Sequence, residues 1–135
     1  MKPSAVQLCC AVTVVLFLSA CTTEEYDGPL PRPSPASVAA GRGLIARYGC
    51  GSCHAIPGIR GAGATTAPPL DRFYERSYIA GRLPNTWENL IQWIQNPQQI
   101  EPGNAMPNLG VTQDEAHDIA AYLYHEPTID DYIIR

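Results

Sequence analysis

Lysine is almost absent from this chain. Of its 135 residues only Lys2 is a lysine, and arginines supply the other positive charges. Charged residues make up 16% of the sequence and the formal net charge is −4. No basic patch of the kind that binds nucleic acid is visible, so we expect no nucleic-acid partner. The mostly apolar run at residues 5–18 is shorter than the roughly 20 residues that a membrane-spanning helix needs.

The five cysteines divide by position. Cys9 and Cys10 lie in the apolar run, Cys21 closes it, and Cys50 and Cys53 stand apart, so they do not form a disulfide framework. The length permits one small domain. A domain of roughly 90 residues has a poor ratio of buried to exposed surface, so a bound cofactor in place of part of the core is consistent with this length.

Cys50, Cys53 and His54 form the pattern Cys-x-x-Cys-His, the attachment sequence of a c-type haem. Two intervening residues fit one tight turn, which places both sulfurs along one haem edge and the imidazole below the iron. A redox dithiol is an alternative, but no βαβ pattern surrounds the motif. Half of a zinc site is another, but it needs a second Cys/His pair, and His117 and His125 stand alone.

Met106 is the other candidate iron ligand. It lies in a polar loop between Pro102 and Pro107, where a core-filling methionine is not expected. It is also the methionine that remains after an N-terminal signal is removed. His117 and His125 are the alternative ligands.

Residues 1–20 predict an export signal, with Lys2 followed by the apolar run and small residues. The segment that ends it, Leu18-Ser19-Ala20-Cys21, resembles the lipobox of bacterial lipoproteins. That resemblance implies cleavage before Cys21 and its lipidation, so that several acyl chains anchor the protein stably to a membrane. An ordinary secretory signal is the alternative. The expected location is the periplasm or the outer side of the cytoplasmic membrane.

Residues 21–36 predict a proline-rich linker. Alternating prolines make such a segment extended, with a reach of roughly 40–50 Å. It would lift a domain from the membrane while keeping it near a membrane-bound partner. Residues 127–135 form a C-terminal tail for which the sequence makes no prediction.

The first predicted helix covers residues 37–49, with Ser37 as N-cap. Gly41 and Gly43 are poor helix formers and suggest close approach by another helix. Residues 71–81 predict a short helix or turn along the haem edge. Tyr78 and Arg82 are candidates for contact with a haem propionate, and exposed surface side chains are the alternative.

The second helix follows Pro84, with Asn85 or Thr86 as N-cap, and ends at Pro97. Its apolar stripe predicts core and haem contacts and consists of Trp87, Leu90, Ile91 and Ile94. Trp93 lies off the stripe and is a candidate to pack over the haem or shield a propionate. The last helix is predicted from Thr112 to Tyr124, with a capping box at Glu115. Its buried stripe is predicted as Ala116, Ile119, Ala120 and Leu123.

Residues 37–126 resemble class I cytochromes c, from the attachment motif through Pro68-Pro69-Leu70 and Pro-Gly-x-x-Met to Ala121-Tyr122-Leu123. The resemblance implies an all-α cytochrome c fold with three main helices around one haem c. It implies Cys50 and Cys53 as covalent attachment points, His54 as proximal ligand and Met106 as distal ligand. It also implies the Pro68 carbonyl as the partner of His54, and terminal helices that cross near Gly41 and Tyr122.

Residues 80–86 and 102–110 look more particularly like the cytochrome c domain fused to subunit II of some bacterial terminal oxidases. With both axial positions filled the iron has no open site, so we expect a one-electron carrier between respiratory redox complexes, with no small-molecule substrate. One alternative is a haem sensor or enzyme in which Met106 leaves the iron. Another is the cytochrome subunit of an exported dehydrogenase. The chain lacks lysines around Met106, so a tether rather than charge would bring the partner close.

Overall fold

The structure, a computed structural model, describes residues 33–125. In this range the α-helices are α1 (Pro35–Arg47), α2 (Trp87–Gln95), α3 (Pro97–Ile100) and α4 (Gln113–Tyr124). Two 3-10 turns, at Cys50–Ser52 and Phe73–Glu75, and two short strands, β1 (Tyr78–Ile79) and β2 (Leu83–Pro84), complete the secondary structure of this range. The predicted signal at residues 1–20, the lipidation site Cys21, most of the linker and the tail lie outside the described residues.

Helix α1 begins earlier than the sequence pattern suggested. Its N-cap is Ser34, whose side chain accepts a hydrogen bond from the Ser37 backbone N–H at 3.1 Å. Pro35 occupies the first helical position, where a missing N–H costs nothing and the fixed φ suits the helix. The prediction of Ser37 as N-cap was therefore wrong, because the last proline of the linker also serves as the first residue of the helix.

Helices α1 and α4 cross at Gly41, as expected. A Cβ atom placed on Gly41 would lie 2.0 Å from the Asp118 carbonyl oxygen and 3.1 Å from the Tyr122 Cβ. Only a glycine lets the two backbones approach this closely. Helix α4 is consequently buried on almost every side in its second half, where Ala120 and Ala121 are fully inaccessible.

Glu115 joins the end of α1 to the start of α4. Its carboxylate accepts hydrogen bonds from the Tyr48 hydroxyl at 2.6 Å and the Thr112 backbone N–H at 3.0 Å, and it pairs with Arg47. The predicted capping box is confirmed, since the Thr112 side chain in turn accepts from the Glu115 N–H. Hydrogen bonds, chiefly from Tyr48 and then from Thr112, lower the pKa of Glu115 from 4.5 to about 2.

Helix α2 presents its apolar stripe to the core. Thr86 is its N-cap and accepts from the Asn89 N–H at 3.3 Å. Trp87, Leu90 and Ile94 are buried as predicted. The Trp87 ring stacks on Tyr124 of α4, with ring centroids 5.6 Å apart. This stack fixes α2 against the last helix.

Residues 71–84 contain a small hairpin that the sequence pattern did not predict. After the 3-10 turn, β1 pairs antiparallel with β2. Apart from these two-residue strands and an isolated bridge between Ala55 and Gly63, the regular secondary structure of residues 33–125 is helical. Asn85 anchors the segment, because its side chain donates to the Phe73 and Arg76 carbonyls at 3.0 and 2.9 Å and accepts from the Tyr124 hydroxyl at 2.7 Å.

The hydrophobic core collects side chains from all three longer helices and from the loops between α1 and α2. Its largest fully buried side chains are Ile45, Ile79, Leu90 and Pro97. Among residues 33–125, none of the helices combines the length and the apolar character needed to cross a membrane.

Candidate functional site

The Cys-x-x-Cys-His segment forms a tight turn directly after α1. Gly49 takes a left-handed conformation with φ of 69°, which redirects the chain into the 3-10 turn Cys50–Ser52. The turn is closed by a hydrogen bond from the His54 N–H to the Cys50 carbonyl at 3.0 Å. A Cβ on Gly51 would lie 2.6 Å from the Ala62 Cβ, so a glycine is needed where the turn packs on the next loop.

Cys50 and Cys53 are not joined in a disulfide; Cys50 is half-buried and Cys53 is exposed. Burial raises the pKa of the Cys50 thiol, and the neighbouring Cys53 raises it further. Catalytic dithiols instead have a lowered pKa in an electropositive setting. Within residues 33–125 no group of three or more His, Cys, Asp or Glu side chains is placed to bind a metal ion.

The His54 ring is fixed by the backbone of a later loop. Its Nδ1 lies 2.7 Å from the Pro68 carbonyl oxygen. Because a carbonyl can only accept a hydrogen bond, Nδ1 carries the proton and is the donor. The Nε2 lone pair is then available to a metal, in the arrangement that orients an imidazole ligand. The hydrogen bond expected from the sequence is present.

The loop that follows the turn, residues 55–70, is held by three further hydrogen bonds. The Ala67 N–H donates to the Cys53 carbonyl at 2.9 Å, and the Leu70 N–H donates to the Ala55 carbonyl at 2.8 Å. The Tyr122 hydroxyl of α4 donates to the Pro57 carbonyl at 2.5 Å. The position of His54 is therefore set by the terminal helices as well as by its own turn.

Met106 is half-buried in residues 102–110, which we call the Met loop. Two side-chain amides hold its backbone. The Met106 N–H donates to Asn104 Oδ1 at 2.7 Å, and Gln98 Nε2 donates to the Met106 carbonyl at 2.7 Å. Neither amide was predicted as a site residue from the sequence. Their only sequence signal is the occurrence of Asn and Gln beside prolines in a segment without periodicity.

The other candidate side chains are less closely grouped. Tyr78 is 61% exposed, and Arg82 pairs with Glu101, with Nε and Oε1 2.8 Å apart. Trp93 is half-buried against the core. Trp87 faces α4, where it also contacts the His117 ring edge-on at 4.9 Å between centroids. Propionate contacts by Tyr78, Arg82 or Trp93 remain predictions.

The residues present suit a c-type haem. Two thiols on one turn provide the sulfur atoms for thioether bonds, and the imidazole beside them has the tautomer that an iron ligand requires. Met106, in an ordered loop, has the thioether sulfur that would serve as a second, neutral ligand in a low-spin haem protein. Residues 50–106 thus contain every side-chain type that covalent attachment and two axial positions would need.

Three curated proteins named cytochrome c oxidase subunit 2 are similar to this chain. The protein from Alkalihalophilus pseudofirmus is 32% identical over 114 residues, which cover 78% of this chain and 32% of that protein. Those from Bacillus sp. strain PS3 and Bacillus subtilis are 36% and 35% identical over 78 and 86 residues, which cover 55% and 62% of this chain. The chain spans about a quarter to a third of these relatives' lengths. No solved structure gives a significant match.

The model of one protein family, described as Cytochrome c, matches residues 38–125. This is well over half of the chain and includes both the attachment turn and Met106. The family implies a covalently bound haem c with its iron, and the geometry of the turn fits that cofactor. The chain therefore belongs to the cytochrome c family.

Proposed function

We propose that this protein is a membrane-tethered monohaem cytochrome c that carries single electrons in a respiratory chain and donates them to a terminal oxidase. In this proposal Cys50 and Cys53 bear the haem, and His54 and Met106 are the axial ligands. Bound in this way, the haem supplies reversible one-electron chemistry at its iron.

The hydrogen bond between His54 Nδ1 and the Pro68 carbonyl is the main support for this function. It leaves Nε2 as the free ligand atom and prevents rotation of the ring, on the same turn that carries both thiols. A neutral imidazole and a neutral thioether stabilise the reduced iron relative to anionic ligands. Such a ligand pair suits an electron carrier of high potential.

The protein's own residues have two tasks in electron transfer. Buried side chains of α2, notably Leu90 and Ile94, keep water from the interior. The hydrogen-bonded loops around His54 and Met106 keep the ligand positions the same in both oxidation states, which lowers the reorganisation that each transfer requires. Electrons would pass through the edge beside Cys53, which is exposed.

The partner is proposed from the relatives. Proteins of two genera named cytochrome c oxidase subunit 2 contain a segment similar to this chain. The cytochrome c family match begins at residue 38. We propose that a lipid tether at Cys21 holds this domain near an oxidase. The supporting pattern is the lipobox ending in Cys21 and the proline-rich linker after it.

An absorption spectrum of the full-length exported protein tests the function. A covalent low-spin haem with a methionine–iron band, whose reduced form does not bind carbon monoxide, is the expected result. A reduced spectrum that shifts with carbon monoxide would favour the sensor or enzyme instead. Stable co-purification with an exported dehydrogenase would favour the subunit alternative.

A further inference from the structure

Two amide side chains, Gln98 and Asn104, form a closed hydrogen-bonded frame around the backbone of Met106. Gln98 Nε2 donates to the Asn104 and Met106 carbonyls at 2.8 and 2.7 Å, and its Oε1 accepts from the Gly103 N–H at 3.0 Å. Asn104 Oδ1 accepts from the Met106 N–H at 2.7 Å. Both backbone groups of Met106 are therefore bound by side chains rather than by a helix or a sheet.

The orientation of both amides is unambiguous. Backbone N–H groups can only donate and backbone carbonyls can only accept. Rotating the Gln98 amide by half a turn would break all three of its bonds, and the same rotation of Asn104 would place its NH₂ group against the Met106 N–H. The frame therefore exists in a single arrangement.

The frame is attached to the core. Asn104 Nδ2 donates to the Pro97 carbonyl at 2.9 Å and to the Glu101 carbonyl at 2.6 Å. Pro97 opens α3 and is one of the most deeply buried side chains among the described residues. Met106 is thus connected through one side chain to a residue that cannot move without disturbing the core.

We infer that Gln98 and Asn104 are positioning residues that keep Met106 in place as the distal ligand. This inference rests on the proposed role of Met106. A loop of prolines and glycines has no periodic hydrogen bonding of its own. Without the frame, the Met loop would therefore lose much conformational entropy each time the Met106 sulfur bound the iron. The frame orders the loop in advance, which favours the bound position and slows departure of the sulfur.

The test compares Gln98→Glu with Gln99→Glu in the haem-loaded full chain. Gln98→Glu keeps the shape and the acceptor for Gly103 but removes both donors and places negative charge against two carbonyls. Gln99 lies in the same short helix with an exposed side chain, so its variant makes the same charge change outside the frame. For Gln98→Glu we expect carbon monoxide to bind the reduced protein, which the parent resists. As the pH is raised and the new carboxylate stays ionised, the methionine–iron band should be lost about one pH unit lower than in the parent. Gln99→Glu should match the parent protein.

Asn104 gives a second, independent comparison. Asn104→Asp keeps the acceptor for the Met106 N–H, whereas Asn104→Ala loses it. The alanine variant should therefore show faster amide hydrogen exchange at Met106 than the aspartate variant. It should also lose the methionine–iron band at a lower pH as the pH is raised. Equal behaviour of the two variants would show that the bond to Met106 does not position it.

Met106→Ala separates failure of this inference from failure of the proposed function. If Met106→Ala leaves the band intact, Met106 is not the ligand and both proposals fall. If it abolishes the band while Gln98→Glu behaves like Gln99→Glu, only the positioning role is wrong. If neither frame variant folds, hydrogen exchange in the parent protein decides, since a fast-exchanging Met106 N–H would contradict an ordered frame.

Discussion

Gly41 and Asp118 are so close that a Cβ on the glycine would lie 2.0 Å from the aspartate carbonyl oxygen. This contact involves backbone, which cannot move aside as a flexible side chain can. Gly43, two residues later in the same helix, has nothing within 4 Å of the equivalent position. Only a glycine fits at position 41, whereas position 43 has room for a side chain, although the two glycines are only two residues apart.

Gly41→Ala should lower the free energy of unfolding by about 2–3 kcal/mol, because the added methyl forces α1 and α4 apart. Gly43→Ala, the control, should raise it by about 0.5–1 kcal/mol through better helix propensity. Urea unfolding followed by circular dichroism measures both. Similar losses in the two variants would contradict the crossing geometry.

Glu115 should make the domain sensitive to acid. Its pKa is lowered in the folded state to about 2, so its contribution is complete above its ordinary value of 4.5 and is lost as the pH falls toward 2. Glu115→Gln should therefore be less stable than the parent at neutral pH, with a smaller further loss on acidification. Thermal unfolding between pH 7 and pH 2 measures the difference.

Asp114→Asn is the matched control for Glu115, since this exposed carboxylate lies in the same helical turn. It should keep the acid sensitivity of the parent protein. An unchanged acid response in Glu115→Gln would show that the bonds from Tyr48 and Thr112 do not act through the ionised carboxylate.

Tyr124 should give the opposite pH dependence. Burial, followed by the charge of Glu88, raises its pKa from 10.0 to about 12. The folded state thus favours the neutral phenol, and this contribution is present below pH 10 and lost as the pH rises toward 12. Tyr124→Phe should show a smaller alkaline loss of stability in thermal unfolding at pH 9 to 12.

Tyr124→Phe should also lower stability at neutral pH by about 1 kcal/mol, because Asn85 Oδ1 loses its hydroxyl donor. Tyr78→Phe removes a hydroxyl from a side chain that is 61% exposed and should change little. Denaturant unfolding of the two variants at pH 7 makes the comparison. Equal effects would indicate that the bond to Asn85 contributes nothing.

Met106→Ala should abolish the methionine–iron band, lower the reduction potential and admit carbon monoxide to the reduced protein, because the thioether stabilises ferrous iron. Leu109→Ala alters another side chain of the Met loop, one that is 38% exposed, and should do none of these things. Spectroelectrochemistry of both variants is the measurement. A band that survives in Met106→Ala would assign the sixth position to a different residue.

Patterns that repeat along a helix were predictable. The stripe of α2, the capping box at Thr112 and the crossing at Gly41 each follow from local spacing or from a residue type with one strong physical meaning. The sequence motif also identified the attachment turn, because the spacing of Cys50 and Cys53 is itself the structural requirement.

Two kinds of feature were not predictable: the choice between equivalent neighbouring residues, and contacts between residues far apart in the sequence. Ser34 and Ser37 are both acceptable N-caps, and only the formed helix shows that the earlier one is used. Arg82 is adjacent to the predicted haem edge in the sequence, yet it pairs with Glu101 from a later loop. The bonds made by Gln98 likewise run from a side chain to the backbone of an irregular loop, and such contacts leave no period in the sequence.

Helix α1 packs chiefly against α4, the last element of the described chain. The bond between Tyr48 and Glu115 spans 67 positions, and the bond between Tyr122 and Pro57 spans 65. Such contacts cannot form until both segments of the chain are present. A chain that emerges from a translocation channel with its N-terminus first would therefore present Cys50, Cys53 and His54 before the helix that encloses them has arrived. In such a chain the topology would leave an interval in which an attachment enzyme had access to an open turn, and the arrival of α4 would end this access.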